Sequence, residues 1–115
     1  MIIKRGDIVL TNLEPVMGSE QGRIRTCLVV QNDLINQCSP NTIIAPLTSK
    51  IRDKEYPTTV VVAPAESGLD KVSTILCNQV RTISIDNRVL KRLGSLKPGT
   101  MRKIDEALKT SLGLD

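Results

Sequence analysis

The sequence predicts a mainly β fold: a small β-barrel packed against one C-terminal amphipathic helix. Three observations carry this. Short β-branched, apolar runs recur along most of the chain, divided by Gly, Pro, Ser and Asn turn signals. One of these runs, Cys27-Leu28-Val29-Val30, is apolar at consecutive positions, so its strand is buried on both faces, as in a small closed barrel. The end of the chain switches to helical periodicity, with Met101, Ile104, Leu108 and Leu112 on one stripe and Ala107 beside it. Five or six strands and a terminal helix make two layers around one core.

The elements follow in order. Residues 6–13, "GDIVLTNL", read as a first strand by their β-branched content. The stretch 14–22, "EPVMGSEQG", is a loop marked by Pro, Gly and Ser. A second strand occupies 25–32, and 33–41 is a loop with one helical turn at most, for which Asp33 is the expected N-cap. The third strand, 42–49, contains Pro46, which lacks a ladder donor and therefore predicts an edge or a bulge. The charged run 50–57 is an exposed excursion, 58–64 a fourth strand, 65–71 a loop, and 73–84 one long fifth strand. Residues 85–96 hold a helical turn or a brief closing strand, with no readable boundary between them. "KPGT" closes the last loop, Thr100 is the expected N-cap of the terminal helix and Gly113 its stop. There are no internal repeats and no linker.

A chain of 115 residues fits one domain, 1–115. At 40% hydrophobic and 24% charged it is too apolar to be disordered. Tyr56 is the only aromatic residue, so the core is aliphatic and offers no ring on which a base could stack. Sixteen Lys and Arg against twelve Asp and Glu give a net charge of +4, compatible with a polyanionic partner without demanding one. Cys27 and Cys77 lie in apolar runs and read as small buried hydrophobes; with no CxxC pair and no histidine, a zinc site is not expected. No apolar run is long enough to span a membrane, and "MIIKRGDIVL" lacks the form of a signal peptide. A cytoplasmic, reduced protein with no cofactor is the expectation.

The stretch "KRGDIVLTNLEPVMGSEQGRIRTCLVVQND", with "IIAPLTSK", "NQVRTIS" and "KIDEALKTSLGL" after it, resembles the MazF/PemK family of toxin endoribonucleases from type II toxin–antitoxin pairs. No single motif decides this; the combination, in order and across nearly the whole chain, is specific. The resemblance implies an SH3-like barrel acting as a homodimer. It implies metal-independent cleavage of single-stranded RNA, usually mRNA, at a short recognition sequence. It also implies neutralisation by a cognate antitoxin whose acidic, extended tail occupies the RNA groove. The family's catalytic arginine falls on Arg25 of "GRIRT" and its catalytic threonine on Thr48 of "PLTS". Ser19, Gln21, Asn32, Gln79 and Arg81 fall at positions the family associates with the RNA groove. Family members commonly carry proline after the catalytic arginine. Here Thr26 stands there, leaving that turn less constrained. Met17 occupies a loop position where a bulkier residue occurs, which bears on base preference.

A chain without histidine can still cut RNA, because the substrate supplies its own nucleophile. A 2′-hydroxyl in line with the adjacent phosphorus displaces the 5′-oxygen and leaves a 2′,3′-cyclic phosphate and a 5′-hydroxyl. The protein must align the groups, stabilise the growing negative charge and move protons. Arginine meets the second need with a planar fork, and Thr48 adds a neutral hydrogen bond. Arginine is a poor base, so Glu20, five residues before Arg25, is the nearest candidate.

Each residue also has a plain structural role open to it. Glu20 could be a solvated loop acid, Thr48 a local turn former, and Asn32 strand-end turn chemistry. Gln79 and Arg81 could form the wet face of a half-buried strand. Two other functions fit the predicted fold. The barrel also resembles CcdB-type toxins, which bind and poison DNA gyrase, but such a binder has no use for the Arg25 and Thr48 pair. A peptide-binding SH3-like module needs an aromatic groove, and one tyrosine does not build it.

Overall fold

A computed structural model describes residues 1–13, 24–50 and 56–114. The strands are β1 (Asp7–Asn12), β2 (Ile24–Val29), β3 (Asn41–Thr48), β4 (Thr59–Val62), β5 (Ser73–Leu76), β6 (Arg81–Ser84) and β7 (Val89–Ser95). Three single helical turns, α1 (Asp33–Asn36), α2 (Pro64–Ser67) and α3 (Ile85–Arg88), lie between them, and α4 (Pro98–Leu112) ends the chain. All pairings are antiparallel, in the order β4-β5-β3-β2-β1-β7, with β6 also on β3. The mainly β fold with a terminal helix is as expected.

The sheet curls without closing. No ladder joins β4 to β7 among the described residues. Instead α2, which follows β4 directly, packs on β7. Their approach is very close: a Cβ on Gly68 would sit 2.6 Å from the Leu93 carbonyl oxygen, and one on Gly94 2.9 Å from that of Ser67. Gly68 also holds φ at +78°, which side-chain-bearing residues avoid.

The doubly apolar β2 separates two cores. Ile8, Leu28, Ala45, Leu47, Ile75 and Cys77 pack with Ile104 and Ala107 of α4 on one face. Val9, Cys27, Val29, Ile44, Ile83, Ile85 and Val89 form a second cluster on the other. Ile104 is fully buried, and truncating it to Ala would cost about 2–5 kcal/mol. Arg5 clamps the pieces: its backbone N–H donates to Asp33, its Nε to the Val30 carbonyl, and its Nη2 to Asp105 of α4 at 2.6 Å.

Several expectations are corrected. The long strand 73–84 is two strands, because residues 77–80 turn and the Gln79 N–H closes that turn on the Leu76 carbonyl. Pro46 is in a central strand rather than at an edge, opposite Cys27. It is tolerated because β3 changes partner there, from β6 over 41–44 to β5 at 47–48. Asn32, not Asp33, caps α1, its Oδ1 accepting from the Leu34 N–H at 2.8 Å. "KPGT" is the first turn of α4: Lys97 is the N-cap and Pro98 stands at N1, where its missing donor costs nothing. Leu112 leaves the apolar stripe and is 58% exposed. Gly113 terminates α4 as expected, with φ +72°.

Candidate active site

Arg25 lies at the start of β2 and Thr48 at the end of β3. The β2–β3 register runs as far as Cys27 opposite Pro46, and Arg25 and Thr48 each lie two residues beyond that pair on their strands. Both line one open cleft of about 380 Å³, with Ile24, Thr26, Leu47, Ser49, Lys50, Leu69 and Ser73. The half-buried Arg25 donates from Nη2 to the Leu47 carbonyl at 3.2 Å. This is the guanidinium's one hydrogen bond to a described residue, and a guanidinium carries five donors in a planar fork. Thr48 Oγ1 accepts the Lys50 N–H at 3.2 Å, a local turn bond that uses a lone pair and leaves the hydroxyl proton to donate.

Arg81 stands on the same face as Arg25, since it pairs with Ile44, which in turn pairs with Val29. The Cys27 thiol lies within the fields of both Arg25 and Arg81, yet burial dominates and pushes its pKa up. Arg81 lines a second cleft of about 460 Å³ with Thr82, Ile83, Ser84, Asn87 and Arg88. The other expected groove residues are not in these clefts. Asn32 is spent on capping α1, and Gln79 occupies the turn after β5. Ser19, Glu20, Gln21 and Met17 lie outside the described residues.

Three residues received no specific role from the sequence. Lys50, grouped with the charged excursion, lines the Arg25 cleft and orients Thr48. Arg88 lies in the segment whose boundary could not be read, and it brings a second cation to the Arg81 cleft. Thr11, read only as part of a strand, is fully buried and donates to the Arg25 carbonyl at 2.9 Å. A hydroxyl at an inward strand position was the available signal.

Residues 4–112 match the family described as PemK-like, MazF-like toxin of type II toxin–antitoxin system. The chain belongs to that family. It is similar to Endoribonuclease EndoA of Bacillus subtilis, 43% identical over 114 residues that cover 99% of this chain and 97% of that one. Among solved structures it is similar to an endoribonuclease in complex with its cognate antitoxin from a mycobacterial species, with TM-score 0.81 and 26% identity over 98% of this chain and 97% of that one. It is also similar to MazF from Deinococcus radiodurans, with TM-score 0.79 and 27% identity over 99% of each chain.

Proposed function

We propose that this protein is the endoribonuclease toxin of a toxin–antitoxin pair, cutting single-stranded RNA at a short sequence by in-line attack of a 2′-hydroxyl. The observation that carries the reading is that Arg25 and Thr48, from adjacent strands, line one open cleft. A phosphodiester seated there meets a cationic fork from one strand and a neutral hydroxyl donor from the next. Arg25 stabilises the charge that grows on the phosphoryl oxygens and supplies a proton toward the leaving 5′-oxygen. Thr48 donates to the same oxygens. The 2′-oxygen bonds to phosphorus as the 5′-oxygen departs, and Glu20 is the proposed acceptor of the 2′-hydroxyl proton. The positive charge comes from Arg25, so the reaction as drawn uses no metal.

Arg81, with Arg88 beside it, extends the positive field along the same face and would hold a neighbouring phosphate. Asn32, Gln79, Ser19 and Gln21 are proposed RNA contacts, of which Asn32 could contribute only lone pairs and N–H groups left over from its cap. A homodimer in the cytoplasm, held inactive by an antitoxin with an acidic tail, completes the proposal. Relatives named for an endoribonuclease and for an antitoxin complex support it.

The test incubates purified protein with a long single-stranded RNA offering every short sequence, in excess EDTA, beside Arg25→Ala. Cleavage at a recurrent sequence with 5′-hydroxyl ends, reduced about 10²–10³-fold or more in the variant, is expected. Intact RNA would overturn the reading and turn attention to gyrase.

A further inference from the structure

The Arg25 guanidinium is useful only if the strand that carries it stays in place. Among the described residues Thr11 lies opposite Arg25 in the β1–β2 ladder, and the neighbouring Ile24 is half exposed. Thr26 puts no covalent restriction on the backbone that follows Arg25.

One side chain restrains that strand from within the fold. Thr11 Oγ1 reaches the Arg25 carbonyl at 2.9 Å and the Cys27 Sγ at 3.5 Å. A carbonyl oxygen only accepts, so the single hydroxyl proton goes to Arg25. The Cys27 thiol must then be the donor to the Thr11 lone pair. Thr11 and Cys27 are both fully buried, so water cannot take over either bond. The chain from thiol to hydroxyl to carbonyl fixes the peptide unit from which the Arg25 side chain departs.

We propose that Thr11 is a positioning residue for the reaction: its hydroxyl, oriented by Cys27, pins the Arg25 backbone so that the guanidinium stays at the Leu47 carbonyl beside Thr48. The assignment rests on the function proposed above. Thr11 touches no substrate. Its loss therefore affects the turnover step, which needs the fork aligned on the phosphoryl group, more than RNA binding, which draws on several cations.

The experiment compares wild type, Thr11→Val, which keeps the shape and removes the hydroxyl, and Thr11→Ser, which restores it. Two readouts are taken: steady-state kinetics (kcat and KM) on a single-stranded RNA carrying the cleavage site, and the Arg25 Nε–H resonance of the free protein by ¹⁵N NMR. Thr11→Val should lower kcat about five-fold or more while leaving KM within about two-fold. Its Arg25 resonance should move, and Thr11→Ser should return both quantities towards wild type. Unchanged kcat and an unmoved resonance in Thr11→Val would overturn the proposal. Equal impairment of the Ser and Val variants would also do so, by assigning the effect to the methyl group. If Thr11→Val does not fold, Thr11→Ala against Thr11→Ser isolates the same hydroxyl. If wild type cleaves no RNA, the proposed function fails by itself, and the resonance comparison alone decides the positioning role.

Discussion

Cysteine chemistry separates the three thiols of this chain by burial alone. Cys27 and Cys77 are fully buried, and burial raises both pKa values, that of Cys77 to about 11. Cys38 is exposed at the end of α1, its Sγ donating to the Leu34 carbonyl. Alkylation of native protein at pH 8 followed by mass spectrometry should modify Cys38 and spare the other two until denaturant is added; rapid modification of Cys27 would contradict the buried hydrogen-bond chain. At this scale the sequence was informative where apolar neighbours set the environment, as for Cys27 and Cys77. Arg25 and Thr48, singled out through motif resemblance, line one cleft. Roles set by contacts across strands, such as that of Thr11, were not legible, because partners fourteen or more positions apart in a ladder leave no local pattern. The bond from Thr11 to Arg25 spans fourteen positions and that from Arg25 to Leu47 twenty-two.

Among the elements, α2 is the least visible in the sequence and bridges the two ends of the sheet. Its closeness to β7 depends on Gly68, where a methyl group would meet the Leu93 carbonyl oxygen at 2.6 Å and the backbone is left-handed. Gly68→Ala should destabilise the fold by more than about 1 kcal/mol, read as a fall in the urea midpoint at unchanged slope. A neutral result would mean that α2 is not docked as described. The same turn supplies Glu66, which accepts from the Lys97 N–H at 3.0 Å and from Thr100, capping α4 in place of an N-cap side chain. This explains why Thr100 looked like a cap: it belongs to the cap, as a partner of Glu66 within the first turn. The strand 73–84 looked continuous because Val80 is apolar and packs on the main core from outside any strand. Pro46 looked like an edge marker because a missing donor usually means one, and a central strand that changes partners satisfies the same requirement.

For the whole molecule, two carboxylates tie distant segments together and make stability depend on acid. Asp33 is held below the ordinary carboxylate range chiefly by the Arg5 N–H, and Glu66 chiefly by the Thr100 hydroxyl. A carboxylate whose folded pKa lies below its unfolded value contributes fully above the unfolded value, about 4. That contribution fades as pH falls through the folded value. Thermal midpoints should therefore be flat near neutrality and drop below about pH 4, and Asp33→Asn with Glu66→Gln should flatten the drop. An unchanged slope in the double variant would remove both groups from the account. The mainly β architecture and terminal helix were readable from periodicity, since they depend on local pattern. Closure was not: whether a curled sheet ends in a ladder or in a helical turn is decided by contacts between β7 and residues of α2.

The central claim is that Arg25 and Thr48, which line one cleft from adjacent strands, act on one phosphoryl group. A double-mutant cycle measures this directly, using single-turnover cleavage rates at saturating enzyme for wild type, Arg25→Ala, Thr48→Val and the double variant. The account expects strong coupling, with the double variant losing far less than the product of the two single losses, because either change alone already disrupts the shared stabilisation. Losses that multiply as independent factors would show two side chains working separately and would contradict it.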